Sequence, residues 1–309
     1  MARLKVTHKT VYRYCRPVQF SEHRFMCRPR DSHDLRLIET GIAISPPATL
    51  RWVHDVFGNS VLVATFSDSA DELVFESTFV AEHYPSEPDV ELVEKHATKL
   101  PFTYDASEMP DLAPSIERQY SDPEHRIDAW VRAVCTEAGT PNTLELLVAI
   151  TQAIKKKFAY EVRDEEGTRT PVEMLQHGCG SCRDFALFMM EAVRSLGLAA
   201  RFVSGYLYDE SLIGADSDMV GGGASHAWVQ VYLPGAGWLP YDPTNAVCGG
   251  RNLIRVAVAR DPSQAAPLTG SYVGPADAYV GMTVEVHVCV EGSDASMPYE
   301  RRLASSSRN

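Results

Sequence analysis

The stretch Gly178-Cys179-Gly180-Ser181-Cys182-Arg183-Asp184-Phe185 restricts this chain more than any other: a glycine-rich turn that runs straight into a helix. From Phe185 the apolar residues recur at Phe188/Met189, Ala192/Val193 and Leu196, the period of a helix. Gly197 stands where a C-terminal cap is needed. Ser181 and Asp184 have the spacing of a capping box, which makes Cys182 the first helical residue. A thiol at that position lies at the positive end of the helix dipole, beside unpaired backbone N–H groups. That environment favours thiolate, the reactive form. A short helix over 171–176, capped by Thr170 with Pro171 at its first position, delivers the chain to the turn.

The rest of the chain divides around this stretch. In residues 1–84, Leu4, Val6, Thr10, Tyr12 and Tyr14 fall at even spacing against charged Arg3, Lys5, Lys9 and Arg13. Segments 35–44 and 51–57, a turn at Gly58-Asn59, segment 61–66 and the alternation at Leu73, Phe75, Ser77 and Phe79 continue the pattern. Short strands at regular spacing predict an N-terminal antiparallel β-sandwich. Residues 85–123 hold six prolines and read as a connector with at most one short helix, around 90–98, lying against the surface of the second domain. Residues 124–291 read as an α+β domain. Helices come first: one opened by Asp122-Pro123 and closed by Gly139, and one capped by Asn142. Strands follow at 199–208, in a hairpin over 226–244, at 255–259 and at 283–290. The glycine-rich segment 209–224 between strand and hairpin reads as a mobile lid, and 292–309 as a disordered tail.

Composition excludes some partners. The 309 residues carry 29 basic and 41 acidic side chains, a net charge of −12, against nucleic acid or an anionic membrane surface. The first residues lack the apolar run of a signal peptide, and no stretch of about 18 apolar residues occurs. The expected location is cytoplasmic. Seven scattered cysteines, an odd number, fit reduced thiols better than a disulfide framework.

Cys182 at a helix start, His226 on a strand and Asp242 on the next have the residue types of a nucleophile–base–orienter triad. The hairpin imposes a condition. Side chains alternate faces along a strand, so His226 and Asp242 meet only if the numbers of opposed residues have an even sum. A two-residue turn at Gly235-Ala236 sets Asp242 opposite Val229 and on the wrong face. A three- or five-residue loop around 234–237, or a bulge, is therefore required. Competing readings exist. Cys179-Gly180-Ser181-Cys182 is also a C-x-x-C at a helix start, the layout of a dithiol oxidoreductase, but no strand precedes it and His226 and Asp242 are left without a role. Zinc at these cysteines lacks a partner motif near Cys248. His8, His23, His33 and His54, with Cys27, show no zinc-like spacing and read as packing or surface residues. A non-catalytic binding module on the same fold remains a further alternative.

Four segments carry a resemblance: Gly180-Ser181-Cys182-Arg183-Asp184-Phe185, Ala200-Arg201-Phe202-Val203-Ser204-Gly205-Tyr206-Leu207, Ser225-His226-Ala227-Trp228 and Tyr241-Asp242-Pro243-Thr244-Asn245. In this order they resemble the core of the bacterial transglutaminase-like superfamily. Tyr12-Arg13-Tyr14, Pro17-Val18, Ser21-Glu22-His23, Pro29-Arg30-Asp31 and Asp55-Val56-Phe57-Gly58-Asn59 resemble that group's N-terminal β domain. The resemblance implies a papain-like α+β catalytic fold, cysteine-protease chemistry, and catalytic roles for Cys182, His226 and Asp242. It leaves open whether water or an amine accepts the acyl group. A narrower likeness joins Gln176 and Cys179-Gly180-Ser181-Cys182 to the papain signature C-G-[SA]-C-[WY], with Arg183 in place of the aromatic. It implies an oxyanion hole from Gln176 and the Cys182 backbone N–H, against a plain surface position for Gln176. The expected activity is cleavage or transfer of a peptide or protein amide through a thioester, with neither metal nor cofactor.

Overall fold

The computed structural model describes residues 2–84, 90–163, 165–208 and 223–290. The expected tail over 292–309 and nearly all of the expected lid lie outside the described residues. Three antiparallel sheets and a helical layer make up the fold.

The N-terminal region begins with β1 (Ala2–Phe20), β2 (His23–Phe25), β3 (Leu35–Ser45), β4 (Ala48–His54), β5 (Ser60–Phe66) and β6 (Ser69–His83). The long β1 and β6 pair along most of their length, and β3 extends the sheet beyond β6. Strands β5 and β4 form a second sheet with β2. Between the sheets lie Phe20, Phe25, Phe66, Leu73 and Phe75, all buried, which is the yield of the period-2 pattern.

The connector holds two single turns of 3-10 helix, Val90–Leu92 and Lys95–Ala97, and a full helix, α1 (Met109–Ile116). That helix corrects the expectation of one short helix near 90–98. Pro110 sits in its first turn, where a missing N–H costs nothing. Pro114 lies inside it, but Leu112 packs with Tyr104 and Ala199, and that burial outweighs a weak local propensity. The Tyr104 hydroxyl donates to the Tyr232 carbonyl (3.1 Å) and accepts from the Ala199 N–H (2.8 Å), fastening the connector to the next layer.

The helices α2 (Arg126–Ala138), α3 (Thr143–Lys157), α4 (Pro171–His177) and α5 (Cys182–Arg194) follow, with β7 (Ala159–Tyr160) and β8 (Cys179–Gly180) as a two-stranded parallel pair. Their ends obey the sequence signals. Gly139 ends α2 in the left-handed conformation, Asn142 accepts from Glu145 N–H at the start of α3, and Thr170 with Glu173 form the box that opens α4. A five-stranded sheet completes this half: β9 (Ala200–Leu207), β10 (His226–Leu233), β11 (Gly237–Asp242), β12 (Val247–Cys248) and β13 (Leu253–Ala259), in the order β12-β11-β10-β9-β13. α5 is buried on nearly every side, against α2 and α3 on one flank and the sheet on the other.

The end of the chain returns to the beginning. β14 (Leu268–Thr269) pairs with β2, β15 (Tyr272–Val273) with β1, and β16 (Tyr279–Val290) with β1 from Leu4 to Tyr14. The strand expected at 283–290 therefore belongs to the N-terminal sheet and not to the sheet that carries the hairpin. Periodicity assigns Val284, Val286, Val288 and Val290 to one face but does not name the strand beside them. Here that face joins Leu4, Val6 and Phe79 in a cluster with Tyr206, Tyr208, Ile254 and Val256, where the two halves of the protein pack together. No described helix is long and apolar enough to cross a membrane.

Candidate active site

Cys182 is the first residue of α5 and is partly exposed. Asp184, buried two residues further on, fixes this helix end. Its Oδ2 accepts from the Ser181 N–H and from the Ser181 hydroxyl, both at 2.8 Å. Its Oδ1 accepts from the Arg169 N–H (2.7 Å) and from Arg163 Nη1 (2.8 Å). The cap expected from spacing is thus also the anchor of the segment between β7 and α4. Sequence spacing gave no sign of the Arg163 partnership, 21 residues away.

The hairpin of β10 and β11 satisfies the parity condition. Val229 faces Tyr241 and Leu233 faces Gly237, a constant sum of 470, which leaves the three-residue loop 234–236. His226 and Asp242 consequently share a face as diagonal neighbours. His226 Nε2 lies 2.8 Å from Asp242 Oδ2, and both side chains are buried. Asp242 also accepts at Oδ1 from the Thr244 N–H (2.9 Å) and at Oδ2 from Asn245 Nδ2 (2.8 Å). Asn245 is a positioning residue that reading by residue type missed; an aspartate opening the turn Asp-Pro-Thr-Asn was the available signal.

The electrostatics follow from this geometry. Burial alone pulls the His226 pKa down. The Asp242 carboxylate, by charge and hydrogen bond, and then the Cys182 sulfur, overcome it and raise the pKa to about 10. Burial likewise opposes ionisation of Asp242, but His226, Asn245 and the Thr244 N–H hold its pKa below the ordinary carboxylate value. A carboxylate only accepts, so Nε2 carries the proton shared with Asp242. Nδ1 is buried, Asp242 is taken up by Nε2, and the other group that acts on the ring is the Cys182 sulfur. Nδ1 is the ring nitrogen left to serve Cys182.

The His226 ring stacks on Trp228, with centroids 6.1 Å apart and planes inclined by 26°. Directly across the sheet from His226 stands Gly205 on β9. A Cβ there would come within 2.1 Å of the Ile254 carbonyl oxygen and 2.8 Å of the Trp228 ring. Only glycine lets β13 and Trp228 close in beside the histidine.

Gln176 is exposed in the last turn of α4. The Cys179 sulfur lies 3.4 Å from Arg169 Nη1, and its pKa is pushed up, first by its hydrogen bond to Glu161 and then by burial. That is the opposite of what the attacking thiol of a dithiol oxidoreductase needs. Cys248 is exposed on β12. His8 is buried between the Tyr206 hydroxyl (2.9 Å) and Thr10 Oγ1 (3.2 Å), and burial lowers its pKa to about 4. Among the described residues, no group of three or more His, Cys, Asp or Glu is placed to hold a metal ion.

Comparison with known proteins agrees with the fold. Residues 128–243 match the model of the transglutaminase-like superfamily, and residues 4–82 that of the bacterial transglutaminase-like N-terminal region. An uncharacterised protein of Mycobacterium tuberculosis is 29% identical over 295 residues, spanning 92% of each chain. One of Mycobacterium leprae is 27% identical over 292 residues, spanning 93% of this chain and 99% of the relative. A crystal structure described as a "Putative Cysteine Protease from Cytophaga hutchinsonii" shares the fold with a TM-score of 0.70 at 17% identity, covering 97% of this chain and 94% of that one.

Proposed function

This chain belongs to the transglutaminase-like superfamily, and from that premise we propose that it is a cysteine-dependent amide hydrolase acting on peptides or proteins through a thioester acyl-enzyme. The observation that carries the reading is the buried His226–Asp242 pair, with Nε2 committed to the carboxylate and Nδ1 left to serve a cysteine at a helix start.

Cys182 gives its proton to His226 Nδ1, and Asp242 stabilises the imidazolium. The thiolate attacks the amide carbon, a C–S bond forms, and the carbonyl electron pair moves onto oxygen. The Cys182 backbone N–H stabilises that oxyanion, with Gln176 the side chain proposed to help. Collapse breaks the C–N bond, and Nδ1 protonates the departing amine. Water then attacks the thioester while His226 takes its proton, and the thiolate leaves. An amine in place of water gives transglutaminase-type transfer with the same residues. The seven free thiols suit a reducing compartment, and we place the enzyme in the cytoplasm.

The test is turnover of a peptide library, with and without an added primary amine, by the wild type, Cys182→Ala and Cys179→Ser. The reading requires cleavage that is lost in Cys182→Ala and largely kept in Cys179→Ser. Equal loss in both variants supports dithiol chemistry instead, and products carrying the amine reassign the acceptor.

A further inference from the structure

His226 has one hydrogen-bonded anchor of defined geometry, at Nε2; on its other side it has only Cys182, the group at which it must be aimed. One anchor leaves the ring free to tilt about it, so packing must fix the plane that aims Nδ1 at Cys182. Trp228 lies nearly parallel to the ring, 6.1 Å away between centroids, and it packs with Val203, Leu207, Leu253 and Val258, against which Phe57 of the N-terminal half is set.

The turn over 55–59 joins β4 to β5. Asp55 closes it, accepting from the Phe57 N–H (2.9 Å), the Asn59 N–H (2.8 Å) and Asn59 Nδ2 (2.8 Å). Gly58 has φ +75°, the left-handed conformation that this bend needs. The buried Asn59 amide then pairs with the backbone N–H and C=O of Val258 on β13. Its Nδ2 donates to the Val258 carbonyl (2.7 Å), and the Val258 N–H donates to its Oδ1 (2.9 Å). β13 is the edge of the sheet, and this pairing satisfies both groups of a residue on an otherwise open edge. It also sets Phe57 onto the cluster of Val203, Leu207, Trp228, Leu253 and Val258. Val258 faces Val203, and Val203 faces Trp228, a single row across three strands that ends beside the catalytic ring.

Resting on the reading of His226 as the base for Cys182, we propose that the 55–59 turn is a positioning element for this histidine. Asn59 docks the turn on β13, and Phe57 presses the Val258–Val203–Trp228 row against the imidazole. The N-terminal region is then part of the catalytic machinery and not only a neighbour of it.

The experiment uses the full chain and needs no knowledge of the substrate. Alkylation of Cys182 by iodoacetamide is followed by peptide mass spectrometry across a pH series for the wild type, Phe57→Ala, Phe57→Leu and Phe57→Tyr. Phe25→Leu, a change in the separate core between the N-terminal sheets, controls for destabilisation alone. The proposal expects Phe57→Ala to slow alkylation about tenfold at neutral pH and to displace the pH profile, within the cost of a small misplacement of a reacting group. Phe57→Leu should show a partial effect, Phe57→Tyr should restore the wild-type profile, and Phe25→Leu should leave it unmoved. An unchanged profile in Phe57→Ala, or an equal change in Phe25→Leu, overturns the proposal. If Phe57→Ala does not fold, Phe57→Leu decides alone: an unchanged rate counts against it. His226→Ala separates the two levels. Alkylation indifferent to His226 removes the underlying base assignment, whereas alkylation that needs His226 but ignores Phe57 removes only this proposal.

Discussion

Asp242 meets His226 along a diagonal of the hairpin: Val229 faces Tyr241, and the carboxylate reaches back to Nε2 at 2.8 Å. The contact depends on a loop of odd length, and it leaves the pair inside the protein where each ion depends on the other.

Asp242→Asn should therefore act on charge more than on shape. Without the carboxylate, burial is opposed only by the Cys182 sulfur, and the His226 pKa falls from about 10. Turnover should drop by about 10^4-fold, the loss found when a triad's orienting carboxylate becomes an amide. The alkaline limb of kcat/KM, near 10 in the wild type, should move to lower pH. The stability of the wild type follows the same two groups. With the His226 pKa raised, its contribution is full below about 6.5 and is lost as the pH rises through about 10. With the Asp242 pKa lowered, its contribution is present above about 3.8 and is lost as the pH falls through the depressed value. Thermal melting across pH should show a plateau with both flanks in the wild type and a flatter curve in Asp242→Asn.

Gly205→Ala tests the room left beside the histidine. The added methyl group must displace either the Ile254 backbone or the Trp228 ring. We expect destabilisation of about 1–3 kcal/mol, typical of overpacking, together with slower Cys182 chemistry. Denaturant unfolding and iodoacetamide alkylation measure the two effects, and loss of stability with unaltered alkylation would mean that Trp228 does not aim the ring.

Glu191→Ala should be a stability variant. Its buried carboxylate accepts from Arg194 Nη1 (2.9 Å), Arg118 Nε (3.3 Å) and the Gln119 N–H (3.2 Å), tying the connector to the end of α5. Removing it leaves the buried Arg194 charge with backbone carbonyls of Ser115, Ala200 and Arg260 but without its carboxylate, at a cost of about 3–5 kcal/mol. Chemical denaturation should register that loss, and a change under 1 kcal/mol would show that the network contributes little.

What the sequence revealed was local. The cap of α5 and the position of Cys182 within it follow from residues a few positions apart, and the odd loop follows from requiring His226 and Asp242 to share a face of a hairpin with a two-residue period. What it concealed was partnership across the chain. Asn59 and Val258 are separated by 199 residues, and nothing in either neighbourhood marks the other. The return of β16 to β1 was hidden for the same reason, since a face of valines suits any apolar sheet. The helix α1 was obscured by its own prolines, which act as breakers only where an N–H is needed.

The central claim is that Cys182 becomes acylated. Intact-mass and peptide mass spectrometry of the enzyme, trapped in acid during turnover of peptide and glutaminyl esters and amides, tests it directly. The account predicts an added acyl mass on the peptide containing Cys182, discharged by water or by amine and undetectable in His226→Ala. An adduct on Cys179, a mass loss that marks a Cys179–Cys182 disulfide, or turnover with Cys182 unmodified throughout would contradict it.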